Sequence, residues 1–463
     1  MSHPPPAGAT APPPAPARPA AWREAADRLR AAATTEPGRL RIIGAVLAAV
    51  LVAFGAVTAW QVTDRAAAAD AVVRTSQPLS ADAADIYRSL ADADTTAASG
   101  FLAGGQEPHA VRQRYEKDVA LASRLLVKAA ANTEGSETSR RQITRLNELL
   151  PQYTGLVEAA RANNRQGLPL GGAYLRNAGD RMRTELLPAA RQLYEAETGR
   201  LGSDYADAES WPWAALATGV LALAVLGWAQ RRTYRRTHRV FNHGMLAGTA
   251  AATVVLLWLV VGHAVARSDL EDSFTHGAQS LQVLNEARIG SLQARGDENL
   301  TLVARGSVLT KNGDDAYEAA YGEGMRKLIG GGSSSGEPSP GTLLERARKL
   351  ADDPAGRDPV DAAIRDVREW QGRHGEARAA DDSGLYEKAL PKVIGEKGST
   401  GESFDRVDQE LSRALAHEQR EFDRAADDGR GALSGLAAGA AVLGVLGAAG
   451  AVMGIGRRLS EYR

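Results

Sequence analysis

The sequence predicts an all-α integral membrane protein, with four transmembrane helices and two extracytoplasmic four-helix-bundle-like domains arranged as a tandem repeat. Three observations predict it. Four long apolar runs carry no Asp, Glu, Lys or Arg, arginines gather at one end of each run, and two long polar segments share identities in one register.

The runs place the spans at 41–63, 210–230, 240–266 and 431–456. Each exceeds the roughly 20 residues that a helix needs to cross a 30 Å hydrocarbon layer. Trp60, Trp211, Trp213 and Trp228 stand at run edges, where amphipathic rings favour the headgroup layer. Orientation follows from the arginines. Arg39 and Arg41 stand at the start of the first span, Arg457 and Arg458 follow the last, and the short connection 231–239 holds Arg231, Arg232, Arg235, Arg236 and Arg239. Positive charge marks the cytoplasmic side, so both termini and that connection are expected inside. The segments 64–209 and 267–430 are then outside. The arginine-rich connection is the expected contact for a cytoplasmic partner.

The mean hydropathy of −0.27 averages these runs with two polar segments. A net charge of −1 gives no footprint for nucleic acid. The absence of cysteine excludes disulfides, thiol nucleophiles and the lipidated cysteine of a lipoprotein. The tail 1–40 is Pro/Ala-rich, a composition that stays extended, with room for one interfacial helix at 21–33 bearing Trp22 and Leu29. The tail 457–463 is short, so neither end offers an enzymatic signalling domain.

Within the polar segments the apolar spacing is helical. Ile143, Leu146, Leu150, Tyr153, Val157 and Ala160 form one seam; Phe404, Val407, Leu411, Leu415 and Phe422 form another, interrupted by Glu418. Ser399 and Glu402 fit a capping box. Pro151 and Pro188 should kink their helices unless they mark first turns. Breaks near 104–108, 132–137 and 163–172 divide the first segment into four helices, the first and last continuous with the spans. The halves also repeat. Ser89-Leu90, Gly104, Tyr115-Glu116 and Leu126 recur as Ser291-Leu292, Gly306, Tyr317-Glu318 and Leu328, all displaced by 202 positions. The stretch 330–341 (GGGSSSGEPSPG) reads as an insertion in the second copy.

No Walker loop, G-x-S-x-G or H-E-x-x-H occurs, and the histidines show no ligand spacing, so neither enzyme activity, a cofactor nor a metal is expected. His263, at the outer edge of the third span, is the titratable candidate near the membrane and reads as a solvated interfacial group rather than a proton relay. Two polar sets remain. Arg295, Asp297, Glu298 and Asn299 read either as a solvated helix end or as a ligand or partner site at the bundle tip. Tyr174 and Arg176, after the Asn163–Gly172 loop, read the same two ways. Gly431, Gly435 and Gly439, with Gly450 and Gly454, recur every four residues, a spacing that lets membrane helices approach closely. Gly44 and Ala48 could supply the facing groove, within one chain or in a homodimer.

The layout resembles the outer four-helix bundles of chemoreceptors and sensor kinases, without their cytoplasmic domains. More closely, it resembles the actinobacterial GlnX-type membrane proteins, through stretches such as GGAYLRNAGDRMRTELLPAARQLYEAE (171–197) and SLQARGDENLTLVARG (291–306). That resemblance implies a signal relay. An extracytoplasmic solute-binding lipoprotein sensing glutamate, aspartate or glutamine would be coupled to a cytoplasmic Ser/Thr kinase of the PknG type. Direct sensing of a small molecule, and a scaffold role in a transport or envelope complex, are the other two functions the layout permits.

Overall fold

The computed structural model describes residues 36–132, 136–237, 243–331, 337–433 and 435–459. The tail ahead of residue 36, with the helix expected at 21–33, lies outside the described residues, as do Arg239 and residues 460–463. The described chain is helical, and its β content is one isolated bridge, Leu309–Asp315. It divides into two compact units, Met1–Val62 with Pro212–Val260 and Gly435–Arg463, and Thr63–Trp211 with Val261–Ser434.

The first unit is the membrane-spanning one. Four helices are long and apolar enough to cross a membrane. Its spans come from α1 (Glu36–Ala71), α7 (Trp213–Thr237), α8 (His243–Asp272) and α15 (Leu436–Leu459). Leu47, Leu51, Phe54, Leu226 and Val255 form the buried centre, while Val52, Leu221, Leu257 and Val445 stay exposed around it. Exposed apolar side chains suit a lipid surround. The glycines do bring helices together, but with other partners than expected. A Cβ on Gly439 would collide with Trp258, one on Gly55 would come 3.2 Å from the Gly444 Cα, and one on Gly244 would come 2.5 Å from the Gly454 Cα. Gly450 faces Ala247 and Gly244, so α8 supplies much of the groove; Gly44 meets Ile455. Gly435 adopts φ +77° and sits in the break before α15, outside any packed stripe, and Gly431 is described only as helical backbone. Part of the basic connection is helical. α7 continues to Thr237, so Arg231, Arg232 and Arg235 are helical, with Arg232 over the Trp228 ring at 5.4 Å. Arg236 is described only as helical backbone.

The second unit contains both polar segments. In order they form α2 (Gln77–Leu102), α3 (His109–Asn132), α4 (Glu137–Arg165), α5 (Leu170–Arg181), α6 (Leu187–Glu209), α9 (Gln279–Ala304), α10 (Ala316–Leu328), α11 (Leu343–Leu350), α12 (Pro354–Asp382), α13 (Tyr386–Ile394) and α14 (Thr400–Leu433). The repeat is written in the backbone. α2 and α9 begin and end 202 positions apart, and each is followed by a glycine at positive φ, Gly104 and Gly306. Each is also preceded by a π-helical turn, Val72–Ser76 and Ser273–Ala278. A third such turn, Met182–Leu186, leads into α6. Two of the three explain prolines. Pro78 and Pro188 lie in the first turn after a π turn, where the wider ring leaves the missing N–H and the ring bulk tolerable. Pro151 sits inside α4.

The spacing predicts two separate bundles, whereas the two segments share one core. Leu90, Leu126 and Tyr153 of the first share a buried cluster with Leu292, Trp370 and Leu411 of the second. Arg114 bridges to Asp405 at 3.4 Å, and Gln77 donates to Gln419 at 3.0 Å. Both apolar seams are inward-facing as their spacing requires, Glu418 included. The capping box is present, with Glu402 N–H donating to Ser399 Oγ at 3.1 Å and Glu402 accepting from Gly398 N–H at 2.8 Å. The last helix of the first segment is not continuous: α6 stops at Glu209 and Ser210 is extended. His263 is buried, edge-on to Trp211 at 5.0 Å between ring centres, rather than solvated.

Candidate functional site

The patch Arg295, Asp297, Glu298 and Asn299 is not a solvated helix end. All four are 9% exposed or less, because α9 lies in the middle of the shared core, not at a tip. They divide by the direction in which each side chain leaves the helix.

Arg295 and Glu298 enter a closed network with the second segment. Glu298 accepts from Arg295, from Trp370 Nε1 at 3.1 Å, and pairs with His374 Nδ1 at 2.8 Å. His374 Nε2 reaches Glu318 at 3.1 Å, and Arg295 also donates to Thr400 Oγ1 at 2.8 Å and the Val393 carbonyl at 2.9 Å. Burial opposes charge on His374, but its bonds to Glu298 and Glu318 outweigh that and raise its pKa to about 9. Burial likewise opposes charge on Glu298, and Arg295 and His374 outweigh it, holding this carboxyl below its ordinary range. Two cations and two anions thus satisfy one another, as buried charges must. Asn299 turns toward the first segment and donates to the Thr95 carbonyl at 3.3 Å and Ser99 Oγ at 2.8 Å, tying α9 to α2.

Asp297 faces a different environment. It lines a cavity of about 240 Å³ with Asp94 and Thr95 of α2, Arg183 of the π turn after α5, and Gln293 and Gly296 of α9. Gln293 and Asp297 also border a larger cleft of about 700 Å³, with Tyr87, Arg191, Glu286 and Lys327 around it. Arg183 Nη1 stands 3.7 Å from Asp297 Oδ1, beyond hydrogen-bond range, and is a buried donor with no hydrogen-bond partner. Its Nη2 donates to Asp180 at 2.7 Å and to Tyr317 Oη at 3.3 Å, and the guanidinium lies over the Tyr317 ring at 4.8 Å. Tyr153 Oη donates to Asp94 at 3.3 Å.

The two acids resist ionising. Burial raises Asp94 to about 6, against the opposing pull of Arg183 and Tyr153. Burial, reinforced by Asp94, raises Asp297 to about 7 despite Arg183. One guanidinium is therefore shared between two carboxyls that it does not fully satisfy. An unsatisfied buried donor and two acids raised toward neutral pH thus share one cavity, which makes it the candidate polar site.

The sequence marks Asp297 in a patch set opposite Asp92 and Asp94 of the first copy, but gives no mark to Arg183. The signal available was the repeat: Asp297 occupies the position of Thr95 in the first copy, so a carboxylate replaces a buried hydroxyl. Tyr174 and Arg176 are not brought to the cavity. Tyr174 packs against the core, and Arg176 lies against Gly172, near enough to Tyr317 to be felt electrostatically.

The fold and cavity define a helical membrane protein with a charged recess in its larger unit. Residues 68–206 match the family description "actinobacterial sensor domain". No curated protein and no solved structure matches the chain. The matched residues hold Asp94 and Arg183; Asp297 and Tyr317 come from the second segment. The match supports a sensing or signalling role for a membrane protein of actinobacterial type.

Proposed function

We propose that the chain is a transmembrane sensor whose larger unit, outside the cytoplasm, takes a small zwitterion of amino-acid type in the cavity between α2 and α9. One observation carries this reading: Arg183, with an unsatisfied Nη1, meets Asp94 and Asp297 across a single recess. A guanidinium fits a ligand carboxylate, and paired carboxylates fit a ligand ammonium. Both repeated segments line the recess, so a ligand that prefers one packing of α2 on α9 shifts the balance between packings; equal affinity for both would shift nothing. α2 and α9 each follow in sequence, through a π turn, from helices that carry spans. The output falls to a separate cytoplasmic protein, for which a Ser/Thr kinase is the partner the sequence resemblance implies. Arg231 and Arg235 are exposed on α7 and available to it.

Calorimetry of the full chain in nanodiscs against glutamate, aspartate and glutamine tests this. Saturable binding, lost in Arg183→Ala, is expected. No heat from any of the three amino acids, together with binding of a ligand-loaded solute-binding lipoprotein, would replace direct sensing by relay through that lipoprotein.

A further inference from the structure

α12 begins at an Asp-Pro pair whose aspartate also reaches another helix. Asp353 caps α12, its Oδ1 accepting the Gly356 N–H at 2.7 Å. That oxygen stands 3.1 Å from His417 Nε2 on α14, and Glu421 Oε1 stands 3.4 Å from the same nitrogen. His417 and Glu421 are four residues apart, the spacing that puts two side chains on one helix face. The prospective ligand atoms of all three residues lie within 4.8 Å of one another, and each side chain is partly exposed.

Two features set the group apart from a surface ion pair. His417 Nε2 is buried and forms no hydrogen bond, although two carboxylate oxygens stand this close. Beside it Glu418 is 1% exposed, and its Oε2 has no partner among the described residues. A Cβ on Gly356 would come 2.7 Å from Glu418 Oε1 and 3.4 Å from Asp353 Oδ1, so glycine keeps open the space these oxygens border.

Around a tetrahedral ion bonded at about 2.0–2.1 Å, neighbouring ligand atoms stand roughly 3.4 Å apart, close to both distances at Nε2. One imidazole with carboxylates suits a divalent transition ion such as zinc. Calcium prefers an all-oxygen shell, and copper(I) prefers sulfur. We propose that Asp353, His417 and Glu421 form a binding site for a divalent transition metal ion. The ion pins the start of α12 to α14. Sequence spacing alone passes over the site because Asp353 is remote in the chain from the other two.

The test uses the full, tag-free chain in nanodiscs, stripped with a chelator and titrated with Zn²⁺ against a chromophoric competitor. One equivalent per chain is expected, with the unfolding temperature raised by the metal. His417→Ala and Glu421→Gln should each weaken binding at least about tenfold, as loss of a group supporting a site does, while the exposed His109→Ala leaves it unchanged. If His417→Ala does not fold, Glu421→Gln and Asp353→Asn, on partly exposed side chains, decide the matter. Absence of a stoichiometric site in the native chain, or native affinity in both Glu421→Gln and Asp353→Asn, overturns the proposal.

Discussion

Two polar clusters leave the same helix within three residues, and they differ in what they leave unfinished. At Glu298 the Arg295, Trp370 and His374 donors are engaged, and the His374 and Arg295 cations balance the Glu298 and Glu318 anions. At Asp297 a guanidinium nitrogen has no hydrogen-bond partner and two carboxyls are raised toward neutrality around a cavity. Charge and burial are similar in both. What separates a strut from a site is satisfaction: a completed network rigidifies the core, whereas an incomplete one holds binding capacity that a ligand can use.

The comparison breaks most sharply at Glu298. Glu298→Ala leaves Arg295 and His374 buried without their anion, and should destabilise the fold by about 3–5 kcal/mol, read as a lower denaturation midpoint by Trp370 fluorescence. An unchanged midpoint would mean that the network is not structural.

Next in size is a pH effect. His374 titrates at about 9 in the fold against 6.5 as its ordinary value. Its contribution is therefore fully present below pH 6.5 and lost as pH rises through 9. That loss is on the order of 3 kcal/mol. Denaturation midpoints between pH 6 and 9.5 should fall accordingly, and His374→Gln should flatten the slope; an equal slope in the variant rejects the assignment.

The open cluster follows pH in the same direction, but its substitution should act with the opposite sign, stabilising rather than destabilising. Asp297, raised to about 7 from 3.8, lends stability below pH 3.8 and loses it as pH climbs through 7. Asp297→Asn removes that loss and should stabilise the fold at pH 8 by about 1–2 kcal/mol, while abolishing calorimetric amino-acid binding. Stabilisation without loss of binding would move the ligand elsewhere. The smallest effect belongs to Arg176, which lies off the cavity. Arg176→Ala should stay within about 0.5 kcal/mol of the native chain and leave ligand affinity unaltered. A clear drop in affinity would extend the site to α5.

Much of this was legible in the sequence, and the reason is periodicity. The seam from Ile143 to Ala160, the capping Ser399 and the four apolar runs are local patterns, and local patterns survive folding. The displacement by 202 positions even anticipates the matched limits of α2 and α9. Burial of Arg295 through Asn299 was not legible. Polarity reads as solvent exposure unless the partners are known, and Glu318, Trp370, His374 and Thr400 come from distant stretches. Arg183 was missed because one arginine among many has no spacing signature; its missing partner shows only in three dimensions.

By itself, then, the sequence determined an all-helical membrane protein with a duplicated polar segment, because hydrophobic run length and the helical period are one-dimensional quantities. The tertiary structure alone decided that the two segments share one core, that α8 and α1 supply the grooves for the glycines of α15, and which charged residues are balanced and which are left open. Those outcomes depend on side chains far apart in the chain arriving at hydrogen-bonding distance, which no local pattern encodes.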